Sequence, residues 1–190
     1  MPKQKIGIDI DGTTAMSTEQ MIDSIGLYYG EDFNIELIKD SLEDLPGVEQ
    51  WVINASVTSA VLNYKIPFYK NAEEVIKKLN DNYDIYFISY RPPSAFVNTK
   101  KLLDRIGIDY TLTLASRDDG KHDIIKRYGI EVFIDDDRPT IEEINSKTDC
   151  TSLVFNQPWN VTIKNSDRVC RVNNWLDIRD YFFYIFYNCK

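Results

Sequence analysis

Acidic residues cluster at two points of the sequence, and each cluster closes a short apolar run. Asp9 and Asp11 close the run 6–10, and three consecutive aspartates begin at Asp135, the last residue of the run 131–135. Neighbouring carboxylates repel one another unless a cation lies between them. Oxygen ligands suit a hard divalent cation such as Mg²⁺. Paired carboxylates can also divide the work of nucleophile and general acid/base, so both types of chemistry are expected here.

Residues that could hold a phosphate stand near these acids. Gly12 and Thr13 follow the first pair, where a glycine permits a close turn and a threonine adds a hydroxyl and an N–H group. Ser89 closes a second apolar run, 84–89. Lys121 begins a predicted helix and can place a positive charge on a phosphate. Lys126, in the middle of the same helix, is a weaker candidate for that role.

Short apolar runs alternate with helical patterns between residues 72 and 155, which predicts an α/β, Rossmann-like parallel sheet. The predicted strands are 6–10, 84–89, 110–114, 131–135, 151–155 and 168–172. The predicted helices are 72–80, 95–106, 121–128, 140–146 and 175–190, with Thr140 as an N-cap and His122 on the surface. Ligands bind beyond the carboxyl ends of strands in such sheets, so the two acidic clusters are expected to converge there.

Residues 14–66 interrupt the alternation directly after the first strand. They contain helical stretches at 18–29, 35–42 and 49–62 and no convincing strand. We therefore predict an α/β core domain formed by 1–13 and 67–190, with a small helical cap inserted at 14–66.

Charge and composition limit the partners. The 190 residues include 22 Lys and Arg against 30 Asp and Glu, which gives a net charge of −8. Non-specific DNA or RNA binding depends on basic surfaces, so no polynucleotide partner is expected. A single histidine excludes multi-histidine zinc sites. No apolar run approaches the roughly 20 residues that cross a bilayer, and the first residues lack the apolar core of a signal peptide. A cytoplasmic protein without a membrane partner is the expectation.

The combined pattern resembles the four motifs of the haloacid dehalogenase (HAD) phosphatase superfamily. The motifs are Asp9-x-Asp11-Gly12-Thr13, then Ser89, then Lys121, then Ile134-Asp135-Asp136. The runs 88–92 and 134–139, together with 155–160 and 171–175, further resemble the 5′(3′)-deoxyribonucleotidase-like branch. Similarity covers nearly the whole chain and is weakest over 14–66. Ser89 stands where threonine is commoner, and Tyr90 where a smaller residue is commoner.

The resemblance implies a role for each motif residue. Asp9 would be the nucleophile and Asp11 the general acid/base. Phosphate binding would fall to Gly12, Thr13, Ser89, Tyr90 and Lys121. Mg²⁺ would be held by Asp9, the backbone carbonyl of Asp11, and Asp135 with Asp136. Because Asp137 is a third consecutive acid, the last metal ligand is left open among these three.

The expected function is that of a Mg²⁺-dependent phosphomonoesterase that forms an aspartyl-phosphate. The resemblance suggests a small phosphorylated substrate, a nucleoside or deoxynucleoside monophosphate, with Tyr28, Tyr29 and Trp51 of the cap as candidates to stack on the base. Other small phosphoesters, such as sugar phosphates, and a non-catalytic Mg²⁺-binding interaction protein remain alternatives. A 5′ or 3′ preference and a homodimer are left open.

Overall fold

A parallel β-sheet forms the centre of the computed structural model, which describes residues 3–30, 32–39, 42 and 45–183. Within those residues the sheet has six strands in the order β3-β2-β1-β4-β5-β6. All the pairings are parallel, which confirms the predicted α/β class. The strands are β1 (Gln4–Ile8), β2 (Tyr83–Ser89), β3 (Thr111–Leu114), β4 (Val132–Asp135), β5 (Thr151–Phe155) and β6 (Val169–Val172).

The register of the sheet brings the two acidic clusters together. Ile8 of β1 lies opposite Ile134 of β4, and the amide of Asp9 donates to the carbonyl of Ile134 at 2.9 Å. Asp9 and Asp135 therefore lie side by side at the carboxyl ends of β1 and β4. Strand β1 ends at Ile8, two residues before its predicted end. The turn follows at residues 12–14, and the side chains of Asp9 and Asp11 have different partners, Lys121 and Arg91.

Helices cover both faces of the sheet. In the core they are α3 (Ala72–Asn82), α4 (Phe96–Asp104), α5 (Gly120–Tyr128), α6 (Arg138–Lys147) and α7 (Trp175–Phe183). One buried cluster includes residues of α3, α4 and α7, and another includes residues of α5 and α6. The predicted continuation of α7 to residue 190 lies outside the described residues. In the part of the chain that is described, no helix has the length and apolarity to cross a bilayer.

Helix α6 begins earlier than predicted. Its N-cap is Asp137, whose Oδ2 accepts from the amide of Thr140 at 3.1 Å. Thr140 is thus the third helical residue rather than the cap. The Asp137 carboxylate takes the role of the cap, because it accepts a hydrogen bond from the Thr140 amide, which has no partner within the helix.

The inserted segment contains two helices of 13 residues each, α1 (Ser17–Tyr29) and α2 (Gln50–Leu62). They pack on each other through a buried cluster that includes Ile22, Ile25, Val52 and Ile53. The prediction of a helix at 35–42 is wrong over the described residues 35–39. A 3₁₀ turn forms at Ile35–Leu37, and the backbone is extended at Ile38, whose side chain is buried in the same cluster. Residues 40 and 41 lie outside the described part of the chain.

The two crossings between the core and the inserted segment lie side by side. Ala15 and Phe68 form an antiparallel bridge. The amide of Met16 donates to the carbonyl of Pro67 at 2.9 Å, and the amide of Tyr69 donates to the carbonyl of Thr14 at 3.0 Å. The segment therefore leaves and re-enters through one short two-stranded ribbon next to Asp11.

Candidate active site

Lys121 joins the two acidic clusters. Its Nζ lies 2.5 Å from Oδ1 of Asp9 and 2.8 Å from Oδ2 of Asp135. The three side chains are buried, with Lys121 only 1% exposed. Gly120, with φ +72°, turns the chain into α5 and aims Lys121 at the sheet edge. Lys126 lies on the exposed side of that helix, so the structure favours Lys121 for the cationic role.

Three side chains from two loops donate hydrogen bonds to Asp136. Thr13 donates its hydroxyl to Oδ1 at 2.6 Å, and the indole N–H of Trp159 donates to Oδ2 at 2.9 Å. The side-chain amide of Asn160 donates to the backbone carbonyl of Asp136 at 2.8 Å. Gly12 is required beside it, because a Cβ at that position would lie 2.5 Å from Oδ2 of Asp136 and the φ is +79°. Asp136 is thus fixed before any ligand binds.

The acidic cluster has the donor set for a divalent cation. One carboxylate oxygen from each of Asp9, Asp135 and Asp136 lies within 4.8 Å of the others. Burial and the neighbouring carboxylates raise the pKa of Asp136 well above its usual range, and burial raises that of Asp9 against the pull of Lys121. Lys121 supplies one positive charge against three carboxylates. A hard cation with oxygen ligands such as Mg²⁺ therefore fits this cluster.

Asp137 does not belong to that cluster. Its carboxylate faces the first turn of α6, where Oδ2 accepts from the amide and the hydroxyl of Thr140. Its own amide donates to Oδ1 of Asp135 at 2.8 Å, which orients that carboxylate. The geometry thus favours Asp135 and Asp136 over Asp137 among the three consecutive acids.

Asp11 faces a different partner. Arg91 donates through Nη2 to Oδ1 at 2.7 Å and through Nε to Oδ2 at 2.9 Å. Burial alone would raise the pKa of Asp11, but the charge and hydrogen bonds of Arg91 outweigh it and lower that pKa. The Asp11 side chain is therefore a carboxylate paired with a guanidinium and stands outside the acidic cluster. Its backbone carbonyl remains the group that the sequence resemblance assigns to the metal.

Ser89 and Tyr90 line the same opening. The Ser89 hydroxyl lies 3.5 Å from Oδ2 of Asp11 and accepts from the amide of Arg91 at 3.1 Å. The Tyr90 ring lies between two cations, with Lys121 Nζ 4.9 Å and the Arg117 guanidinium 4.7 Å from its centroid. The Tyr90 hydroxyl accepts from the Lys121 amide at 3.2 Å. A tyrosine here stabilises the start of α5, which explains a large residue at this position.

These residues form the floor of a cavity of about 570 Å³ between the sheet edge and the inserted segment. That volume is in the range of small-molecule sites. The inserted segment contributes Thr18, Met21, Ile38, Leu42, Val57 and Val61 to the wall. The cavity is therefore polar and charged at the floor and largely apolar opposite it.

Two sequence expectations about side chains are not met. Tyr28, Tyr29 and Trp51 do not line the cavity. Tyr28 and Trp51 pack edge to face and are each 54% exposed, because they lie beyond the α1–α2 contact on its outer side. His122 is buried rather than on the surface, since α5 packs on α6 and sets its Nδ1 3.3 Å from Oε1 of Glu143.

Sequence reasoning missed the contributions of Arg91 and of the segment 156–160. Arg91 stands in the run 88–92, but its pairing with Asp11 across 80 residues leaves no local signal. Gln157 donates to the carbonyl of Gly12 at 2.7 Å, and Trp159 and Asn160 bind Asp136. The resemblance of the run 155–160 to the deoxyribonucleotidase-like branch pointed to the segment, but it assigned these residues no role.

Comparison with known proteins agrees with this geometry. No protein-family model matches the chain. A Bacillus subtilis (strain 168) protein named "Putative nucleotidase YqfW" is 23% identical over 183 residues, which cover 91% of this chain and 90% of the relative. A "Putative 5'(3')-deoxyribonucleotidase" from Staphylococcus aureus (strain Mu50 / ATCC 700699) is 23% identical over 188 residues, which cover 96% and 97%. A solved haloacid dehalogenase-like family hydrolase from Streptococcus pneumoniae matches with a TM-score of 0.65 at 13% identity, over 95% of this chain and 98% of that chain.

The sheet order and the strand-end acids agree with these comparisons. The chain has the fold of solved haloacid dehalogenase-like hydrolases, and its sequence is similar to relatives named as putative nucleotidases and 5′(3′)-deoxyribonucleotidases. This similarity agrees with the resemblance in the sequence motifs.

Proposed function

We propose that the protein is a Mg²⁺-dependent phosphomonoesterase that forms an aspartyl-phosphate on Asp9 and acts on nucleoside monophosphates. The observation that carries the proposal is the buried Asp9 carboxylate, held 2.5 Å from Lys121 Nζ beside Asp135 and Asp136 at the floor of the cavity. An anionic nucleophile, a fixed cation and a carboxylate pair for a metal meet there. This combination is what transfer of a phosphoryl group requires.

The first step is an attack by the free Asp9 carboxylate oxygen on phosphorus. An O–P bond to Asp9 forms, the P–O bond to the leaving group breaks, and the leaving alkoxide takes a proton from Asp11. Lys121 and the Ser89 hydroxyl stabilise the negative charge on the phosphoryl oxygens. When bound, Mg²⁺ supplies further neutralisation of that charge.

The second step returns the enzyme to its starting state. Asp11 accepts a proton from a water molecule, the water oxygen attacks phosphorus, and the P–O bond to Asp9 breaks. Inorganic phosphate leaves with Asp9 again a carboxylate. The pairing of Asp11 with Arg91 stabilises the anionic form that this base step needs. In the first step Asp11 gives up one of these bonds to carry the proton that it donates.

The nucleotide assignment is supported by the similarity to relatives named as nucleotidases and by the cavity. A floor of acids and Lys121 suits the phosphate, and the apolar wall of the inserted segment suits an uncharged leaving group. We further propose that residues 14–66 act as the cap that selects this group, with 1–13 and 67–190 as the catalytic core. A cytoplasmic location and a homodimer stay predictions.

The decisive experiment is a screen of phosphate release from 5′- and 3′-nucleotides, deoxynucleotides and sugar phosphates, with and without Mg²⁺. We expect Mg²⁺-dependent release, fastest with nucleoside monophosphates. Faster release from sugar phosphates would reassign the substrate and keep the chemistry. No release from any phosphoester by a folded, Mg²⁺-binding protein would favour the non-catalytic alternative.

A further inference from the structure

Trp159 touches both the acidic cluster and the cap. It lies in a short 3₁₀ turn, Pro158–Asn160, that follows β5. Its indole N–H donates to Oδ2 of Asp136 at 2.9 Å, and the residue is only 7% exposed. Its ring belongs to the buried cluster of the inserted segment, together with Ile22 and Ile53. A single side chain of the core is therefore shared between a candidate metal ligand and the cap interior.

The turn that carries Trp159 is itself fixed. The Asn160 side-chain amide donates to the backbone carbonyls of Asp136 and Phe155, both at 2.8 Å. The Gln157 amide donates to the carbonyl of Gly12 and to the hydroxyl of Tyr69, both at 2.7 Å. These bonds hold the indole N–H against Asp136, so the contact is not a chance placement of one flexible side chain.

Thr13 and Trp159 together determine how the Asp136 carboxylate is oriented. Each donates to a different oxygen of that carboxylate. Partners that orient a metal ligand in this way commonly change metal affinity by about 10- to 100-fold when they are removed. Thr13 belongs to the nucleophile loop, whereas Trp159 is anchored among cap side chains.

We propose that Trp159 is a positioning residue that orients the metal ligand Asp136 and couples metal binding to the packing of the cap. This rests on the proposed function only for the identity of the metal. Packing of the cap around the indole ring favours the N–H contact with Asp136. By linkage, metal bound at Asp136 stabilises the packed cap to the same extent.

The first test measures metal affinity without substrate. Trp159→Phe keeps an aromatic ring in the cap cluster and removes the N–H donor. We expect the dissociation constant for Mg²⁺ or Mn²⁺, measured by calorimetry on the full chain, to rise about tenfold or more. Trp51→Phe is the matched control, since Trp51 is exposed and outside the cavity, and it should bind the metal as the wild type does.

The second test follows the cap directly. Hydrogen exchange of the α1 and α2 amides should slow when Mg²⁺ is added to the wild type, and this protection should be largely lost in Trp159→Phe. Should that variant fold poorly, 3-benzothienylalanine incorporated at position 159 keeps the shape of indole and replaces only the N–H by sulfur. It should reproduce both effects.

Unchanged affinity in the folded variants, or equal protection of the cap with and without the N–H donor, would overturn the coupling. The outcome is separable from the proposed function. A wild type that binds Mg²⁺ but releases no phosphate would remove the phosphatase proposal and leave the role of Trp159 intact. Mg²⁺-dependent turnover by the wild type, together with an unchanged Mg²⁺ affinity in Trp159→Phe, would support the phosphatase proposal and remove the role of Trp159.

Discussion

Arg91 binds both carboxylate oxygens of Asp11, through Nη2 at 2.7 Å and Nε at 2.9 Å. The remaining nitrogen, Nη1, reaches the hydroxyl of Thr99 on α4 at 3.3 Å and the carbonyl of Val61 at the end of α2 at 3.4 Å. The proposed acid/base is thus oriented by a side chain that also contacts the cap. To act as the acid, Asp11 must exchange one of these bonds for a proton.

This arrangement predicts that Arg91 cannot be replaced by lysine. Arg91→Lys keeps the charge but loses the planar fork that fixes both oxygens of Asp11. We expect kcat to fall about 10- to 100-fold while the far-ultraviolet spectrum stays unchanged. Arg127→Lys, on the exposed side of α5, is the control and should have little effect. Wild-type kcat in Arg91→Lys would show that the orientation of Asp11 does not limit turnover.

Asp9→Asn should leave the fold intact and abolish turnover. The amide has nearly the same size, but it is a very poor nucleophile. We expect a loss of at least about 10³-fold in steady-state phosphate release, with no burst of product from a nitrophenyl phosphate. The exposed Asp81→Asn should retain activity. Turnover of Asp9→Asn near the wild-type rate would contradict the covalent mechanism.

Metal removal should abolish activity and lower stability together. Excess chelator is expected to stop turnover, and Mg²⁺ at 100 times its dissociation constant should add about 2.7 kcal/mol to the free energy of unfolding. Ca²⁺ should inhibit, because it prefers looser coordination. Full activity in excess chelator would rule out the proposed metal role.

A pair of neighbouring acids tests which one binds the metal. Asp136→Asn should lose the Mg²⁺ response of the melting temperature. Asp137→Asn should keep it, since Asp137 caps α6 and lies outside the acidic cluster. Melting curves with and without Mg²⁺ decide this, and a lost response in Asp137→Asn alone would assign the ligand to Asp137.

Substrate preference should respond to the inner wall of the cap. Val57 is half-buried and lines the cavity. Val57→Phe narrows the space opposite the phosphate, so we expect kcat/KM for nucleotides to fall about tenfold relative to a nitrophenyl phosphate. Ala55→Phe, on the exposed side of the same helix, is the matched control. An unchanged ratio in the folded variant would place specificity elsewhere, with Tyr90 and Arg117 as the next candidates.

The sequence predicts the floor of the site better than its walls. Strand-end acids converge because the carboxyl ends of parallel strands meet at one edge, so the proximity of Asp9 and Asp135 follows from local patterns. The pairing of Arg91 with Asp11 and of Trp159 with Asp136 depends on tertiary placement of loops far apart in the chain. Aromatic residues of the cap, such as Trp51, could be buried, line the cavity or face outward, and their helical spacing alone does not decide among these.

The ribbon at Ala15 and Phe68 has a consequence for engineering. Both ends of the inserted segment are fastened to each other by backbone hydrogen bonds, independent of what lies between them. Where the segment returns to the core, the Arg105 guanidinium at the C-terminus of α4 donates hydrogen bonds to the backbone carbonyls of Tyr64 and Ile66. A replacement cap must therefore begin and end at neighbouring points of the core. It must also provide packing for the Trp159 ring and an acceptor for Arg91 in place of the Val61 carbonyl, because these two side chains bind Asp136 and Asp11.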